Sequence, residues 1–119
     1  MPRPHNVMVP AIFIAIKLTN KNVFLSGVDH SWLRELHVDN DNKVLFYNQH
    51  FYDKDIKAKQ FDYSGQRYMK LHEILNTMSK AFESYHILQE YAEYKQIKII
   101  NLTQNSYIDA FEKADFNEL

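Results

Sequence analysis

Asn22-Val23-Phe24-Leu25-Ser26-Gly27-Val28-Asp29-His30-Ser31-Trp32 is the stretch on which the reading of this chain turns. An apolar run stops at a glycine, and four side chains able to bind or catalyse follow at once. Open α/β sheets place their ligands just beyond the carboxyl ends of strands. A strand that ends in Asp29, His30, Ser31 and Trp32 therefore predicts a ligand-facing sheet edge. The plainer alternative is a strand followed by a polar turn, with Asp29 or Ser31 capping the next helix.

Working outward, Val7 to Leu18 reads as a helix, with Asn6 as its N-cap and Pro10 tolerated near the start. It is apolar on almost every side, so it expects cover from a sheet or a partner. Downstream of the cluster, Leu33–Leu36 suggests a brief helical turn. Leu36–Val38 and Val44–Tyr47 then flank Asp39-Asn40-Asp41-Asn42, a hairpin signal. A turn is favoured over a calcium loop starting at Asp39, because the required glycine is missing and the twelfth position is His50. His50-Phe51-Tyr52-Asp53 forms a second polar-aromatic cluster, and Lys54 to Gly65 reads as irregular.

From about Arg67 to Lys95, Leu71, Ile74, Leu75, Met78, Phe82, Tyr85, Leu88 and Tyr91 recur at three- and four-residue steps. This predicts a long helix with a break near Ser84. Gln96–Asn101 reads as a second strand, Tyr107–Phe111 as a last helical turn, and Ala114–Leu119 as a frayed tail. Strand, hairpin insertion, long helix and strand make one right-handed crossover between parallel strands. Both strand ends then share an edge, with Asp29, His30 and Ser31 beside Asn101, Thr103 and Ser106.

Composition narrows the function. The 119 residues suit one α/β domain, 1–119, with one modest core. A net charge of -1 argues against a partner that needs phosphate neutralisation, so no nucleic acid is expected. There is no cysteine, which excludes disulfides and thiolate metal sites and suits a reducing compartment. Only two glycines occur, so neither a P-loop nor a dinucleotide fingerprint is present. The longest apolar run, Val7–Ile16, is too short to span a bilayer, and Lys17-Leu18-Thr19-Asn20 is no signal-cleavage site. No transmembrane segment and a cytoplasmic location are the expectation. No histidine pair has zinc-ligand spacing with a third ligand, so neither metal nor cofactor is expected.

The order of motifs resembles the second half of bacterial sialyltransferases that cap surface glycolipids. Ala11-x-x-x-Ala15-Ile16 leading into Val23-Phe24-Leu25-Ser26-Gly27-Val28-Asp29 is similar to that family's helix and Ser-Gly-hydrophobic-Asp strand. Glu90–Ile100 and Asn105-Ser106 continue the likeness. The layout is also similar to hydroxymethylpterin diphosphokinase-like domains encoded with polysaccharide genes. Gly27–Trp32, His50–Asp53 and Ser106–Phe111 look closest to surface-polysaccharide proteins of this superfamily.

The resemblance implies an α/β, Rossmann-like half-domain with a short parallel sheet, a β-hairpin insertion and flanking helices. It also implies a glycosyltransferase-like function in lipopolysaccharide or capsular polysaccharide synthesis, on a nucleotide-sugar. The family's first half, with its nucleotide-binding loop, has no counterpart in this sequence. Ser31 stands where the family has a tyrosine that stabilises the leaving phosphate. The family's catalytic histidine matches the neighbourhood of Ser79, so His72 takes that role only if the helix begins earlier.

His50 or His72 is thus the candidate general base, since histidine titrates near neutral pH. Asp29, His30, Ser31, Trp32, Asn101, Ser106 and Asp109 are the candidate ligand contacts. Each has a structural alternative: Asp29 as a cap, Trp32 as core, Asn101 and Ser106 as turn residues. A non-catalytic, self-associating remnant is the competing reading, because the all-round apolar helix favours a homodimer. Diphosphokinase-like chemistry is the third.

Overall fold

A computed structural model describes residues 6–47, 58–60, 62–63 and 67–119. They form two compact units: the chain up to His30 together with Thr77–Leu119, and Ser31–Asn76. In chain order the elements are α1 (Met8–Leu18), β1 (Val23–Leu25), a 3-10 turn (Trp32–Glu35), β2 (Leu36–Val38), β3 (Val44–Tyr47), β4 (Ala58–Gln60), β5 (Asp62–Tyr63), β6 (Arg67–Tyr68), α2 (Leu71–Tyr94), β7 (Ile99–Asn101), β8 (Glu112–Lys113) and a closing 3-10 turn (Phe116–Glu118). The fold is mixed α/β, with a three-stranded parallel sheet, an antiparallel hairpin and two helices.

In the first unit β1 and β7 are parallel neighbours, with Val23 beside Ile99, Phe24 beside Ile100 and Leu25 beside Asn101. Parallel strands need a long crossover, and the chain between β1 and β7 provides one. β8 adds a third parallel strand on the far side of β7, pairing Ile100 with Glu112 and Asn101 with Lys113.

Helix α1 starts where the Asn6 side chain accepts hydrogen bonds from the Met8 and Val9 amides, at 2.9 and 3.3 Å. Pro10 falls in the first turn, where a backbone N–H has no intrahelical partner to lose. Val9, Ile12 and Ile16 recur at helical spacing and are buried. They pack with Leu25, Val28, Tyr85, Leu88, Ala92, Ile97, Ile99, Ile108 and Phe111 into one core. Phe13 stacks on Tyr91, joining α1 to α2 at 5.3 Å between ring centres. The helix expected to need cover on every side is therefore covered on one, and Val7, Ala11, Ile14 and Leu18 stay exposed.

Three sequence expectations change. Helix α2 is unbroken at Ser84, whose buried hydroxyl donates to the Lys80 carbonyl at 2.9 Å and so is satisfied without opening the helix. Tyr107–Phe111 is not helical. Ile108 and Phe111 imitate a helical period, but they are two core anchors on a segment that carries the chain from the end of β7 to the start of parallel β8. The tail is ordered by a reciprocal cap: Asp115 accepts from Asn117 N–H at 3.0 Å, and Glu118 accepts from Asp115 N–H at 3.4 Å.

In the second unit the hairpin forms as expected, with Leu36 opposite Phe46, His37 opposite Leu45 and Val38 opposite Val44. Asp39 shapes its turn by accepting from the Asp41 and Lys43 amides. The segment read as irregular contributes β4, paired to β3, and β5, paired to β6. Ala58-Lys59-Gln60 has no strand-like alternation of apolar and polar residues to announce it. The cluster His50–Asp53 lies outside the described residues.

The end of α2 yields a stability test. Ile97 N–H bonds the Ala92 carbonyl at 2.8 Å and Gln96 N–H bonds the Glu93 carbonyl at 3.0 Å, the paired bonds of a Schellman cap. Gln96 occupies its left-handed position at φ 59°, where a Cβ is unfavourable. Gln96→Gly is expected to raise unfolding stability by about 0.5–1 kcal/mol in urea titrations.

Candidate functional site

The carboxyl ends of β1 and β7 are stitched together by three polar side chains. Thr103 Oγ1 accepts from Val28 N–H at 3.0 Å. Ser106 Oγ donates to the Val28 carbonyl at 2.6 Å. It also accepts from Asn101 Nδ2 at 3.0 Å and Ile108 N–H at 3.3 Å. Asn101 is 0% exposed, and its Oδ1 accepts from Thr103 N–H. Tyr107 N–H then bonds the Asp29 carbonyl at 2.8 Å. The expected convergence of the two strand ends is thus present. Asn101 and Ser106, however, spend their hydrogen bonds on the backbone they organise rather than on open space.

What this lock presents is Asp29 and His30. Gly27 makes the turn at φ 73°, with open space where a Cβ would sit, so its dihedral and not crowding calls for glycine. The Asp29 side chain is exposed and makes no hydrogen bond or ion pair among the described residues.

His30 has a positive φ of 52°, an uncommon conformation that its surroundings hold in place. Its ring is edge-on to Tyr85 and Phe82. Its Nε2 lies 2.5 Å from the Tyr85 hydroxyl, which is itself 3.2 Å from Asn6 Oδ1. A hydroxyl has one proton. The arrangement in which these three atoms all bond has His30 Nε2–H donating to Tyr85, and Tyr85 donating to the Asn6 oxygen that also caps α1. Tyr85 is 0% exposed, and burial raises its pKa, against a smaller lowering from Asn6. Burial lowers the pKa of His30, opposed in part by the Asp29 charge.

The remaining candidates are distributed differently. Asp109 pairs with His86, Oδ1 to Nε2 at 3.1 Å, both on the surface. A carboxylate orienting an imidazole is the base-and-orienter arrangement of many hydrolytic and transfer sites. Sequence reasoning missed it, since nothing local links positions 86 and 109. Ser31 and Trp32 belong to the second unit. Ser31 accepts Arg34 N–H through its carbonyl and makes no side-chain cap, while Trp32 is half-buried in the 3-10 turn. His72 is exposed in the first turn of α2, also in the second unit. His50 lies outside the described residues.

At the opposite, amino edge of the sheet, a cavity of about 550 Å³ is lined by Ile16, Lys17, Thr19, Asn20, Lys95, Gln96 and Ile97. Both helices end there, and Lys17 and Lys95 sit over Phe13 and Tyr91. The lysines offset the negative ends of the helix dipoles. Among the described residues no group of three His, Asp or Glu side chains is placed to hold a metal. Nor, among them, is any helix long and apolar enough to cross a membrane. No protein-family model, curated protein or solved structure matches the chain.

Two outcomes follow from this geometry. Ser106→Ala strands the Val28 carbonyl and the Asn101 amide in a buried place. It should lower stability by about 2–3 kcal/mol, measured by denaturant unfolding. For His30, the folded pKa lies below the unfolded value near 6.5, so between the two the unfolded chain binds more protons and stability rises with pH. Wild type should lose stability as pH falls from 7 through that window, and His30→Gln should show a flatter profile in thermal melts.

Proposed function

We propose that the parallel unit is a Rossmann-like half-domain and that the chain is a glycosyltransferase-like protein of lipopolysaccharide or capsular polysaccharide synthesis, acting in the cytoplasm. On this reading it binds a nucleotide-sugar at the carboxyl edge of β1 and β7. The observation that carries the reading is the Asp29 carboxylate. It stands exposed and unengaged at the end of a parallel βαβ crossover, on a backbone that Ser106 and Tyr107 hold still. A fixed carboxylate there suits hydrogen bonds from sugar or ribose hydroxyls.

Transfer of the sugar needs a base that takes the proton from the acceptor hydroxyl. The hydroxyl oxygen then bonds the anomeric carbon as the bond to the nucleotide phosphate breaks, the electron pair leaving with the phosphate. The resemblance gives that role to His50 or His72, while within the first unit His86, oriented by Asp109, is the candidate base. Within the same unit, Asn101, Ser106 and Asp109 complete the proposed site, Asn101 and Ser106 by positioning its wall. Calorimetry with nucleotide-sugars at millimolar concentration tests this. Binding by wild type, weakened at least about tenfold in Asp29→Ala, is the expected result, and no heat with wild type rejects it.

A second reading is favoured by the exposed stripe Val7, Ala11, Ile14 and Leu18, whose 4-3-4 spacing runs along one face of α1. On this reading the chain is a non-catalytic remnant that self-associates as a homodimer. Diphosphokinase-like chemistry rests on the family layout alone.

A further inference from the structure

Phe13 and Lys17 stand four residues apart on α1, and Tyr91 and Lys95 do the same at the end of α2, so each lysine shares a helix face with a ring. Phe13 stacks on Tyr91 at 5.3 Å, which brings both lysines to one side of the helix pair. Each ammonium is held over its ring, 5.2 Å from the centre of Phe13 and 5.9 Å from that of Tyr91. Both lysines line the cavity of about 550 Å³ at the amino edge of the sheet, a volume typical of small-molecule sites. Helix capping does not use them. The Ala15 carbonyl accepts from Thr19 N–H, and the Tyr91, Ala92 and Glu93 carbonyls accept from the Lys95, Ile97 and Gln96 amides. No carboxylate engages them among the described residues: Glu93 accepts from Gln89 Nε2 at 3.0 Å, Glu112 pairs with Lys98, and no acidic side chain lines the cavity. Each helix end carries about half a negative charge, so two lysines leave roughly one positive charge over.

The remaining polar groups around the cavity are free to bind. Thr19 Oγ1 accepts from Lys21 N–H at 3.0 Å, which leaves its own proton to donate. The Asn20 and Gln96 side chains are exposed and make no hydrogen bond among the described residues. Gln96 bears on the question in a second way. Its left-handed φ of 59° is one that glycine adopts at least cost, yet the chain keeps there a side chain that lines the cavity. Backbone strain of this kind gathers at ligand clamps. We propose that the cavity binds a sugar phosphate, its monoester dianion between Lys17 and Lys95 and its hydroxyls on Thr19, Asn20 and Gln96. A lysine acts on phosphate as a point charge, and two on one cavity repel each other until a dianion lies between them. Amide side chains both donate and accept, as sugar hydroxyls require. No aromatic ring lines the space, so a nucleobase has nothing to stack on.

The cavity lies at the sheet edge opposite Asp29, so the proposal stands or falls independently of the nucleotide-sugar reading. Calorimetry with glucose 6-phosphate, inorganic phosphate and glucose separates its parts. Glucose 6-phosphate should saturate wild type with a dissociation constant below about 1 mM, and weaken as salt is raised. Lys17→Met and Lys95→Met, which keep the apolar stem over the ring, should each weaken it at least about tenfold. Gln96→Gly separates ligand contact from stability: the variant should unfold later in urea yet bind glucose 6-phosphate at least about threefold more weakly, with Gln96→Asn restoring part of the affinity. Amide resonances of Thr19 and Gln96 should shift on titration while that of Asp29 does not. Inorganic phosphate should bind more weakly than the ester; equal affinity overturns the sugar assignment. Binding of glucose as tight as that of its phosphate, or no heat from either phosphate, overturns the site. Shifts at Asp29 without shifts at Gln96 do the same, by moving the phosphate to the carboxyl edge.

Discussion

One buried hydroxyl carries much of the fold. Parallel strands cannot be joined by a tight turn, so the ends of β1 and β7 need some other tie. Ser106 Oγ provides it, donating to Val28 and accepting from Asn101 and Ile108. In a low-dielectric interior each of these bonds is strengthened, and each would be costly to leave unmade. The same atom that closes the strand ends also starts the segment that seats Ile108 and Phe111 in the core and delivers β8 to the far margin. The geometry of Asp29 is a consequence of that closure.

A second dependence runs through Tyr85. Its ring is core, packed edge-on against Phe111, while its hydroxyl is the one polar atom by which α2 reaches both the α1 cap and His30. Burial favours the uncharged forms of both ring systems, so near neutral pH the chain of donors from His30 to Tyr85 to Asn6 holds without net charge. The Asn6 Nδ2 donor is buried without a partner among the described residues. That is a cost to stability.

The sequence located the meeting of the two strand ends better than the hydrogen bonding of the residues there. The strand-to-glycine break at Gly27 and the apolar run Ile97–Ile100 were enough to predict that Asp29 and Ser106 would meet on one edge, because period and chain length alone imply a parallel crossover. Which of the polar residues face outward was not predictable. Asn101, Thr103 and Ser106 look like ligand contacts in a linear string and are backbone ties in three dimensions, whereas Asp29, of similar polarity, stays free. The His86–Asp109 pair was invisible for the same reason: its partners meet across an irregular segment with no local signature.

By itself the sequence determined the periodic elements, the hairpin at Asp39–Asn42, the Asn6 cap and the absence of glycine-rich phosphate loops, since these depend on neighbours within a few positions. Tertiary structure decided the rest. Ile108 and Phe111 became anchors of an extended segment because a parallel third strand had to be reached, overriding a helical spacing. Ala58–Gln60 became a strand because β3 offered a partner, and the Asp115–Glu118 cap ordered a tail that composition left open. Around Asn22–Trp32, local sequence set where the strand stops, and long-range hydrogen bonds from Thr103, Ser106 and Tyr107 set what the stop presents. Hydrophobic periodicity is a local property of the chain, whereas the satisfaction of buried polar groups is a property of the whole fold.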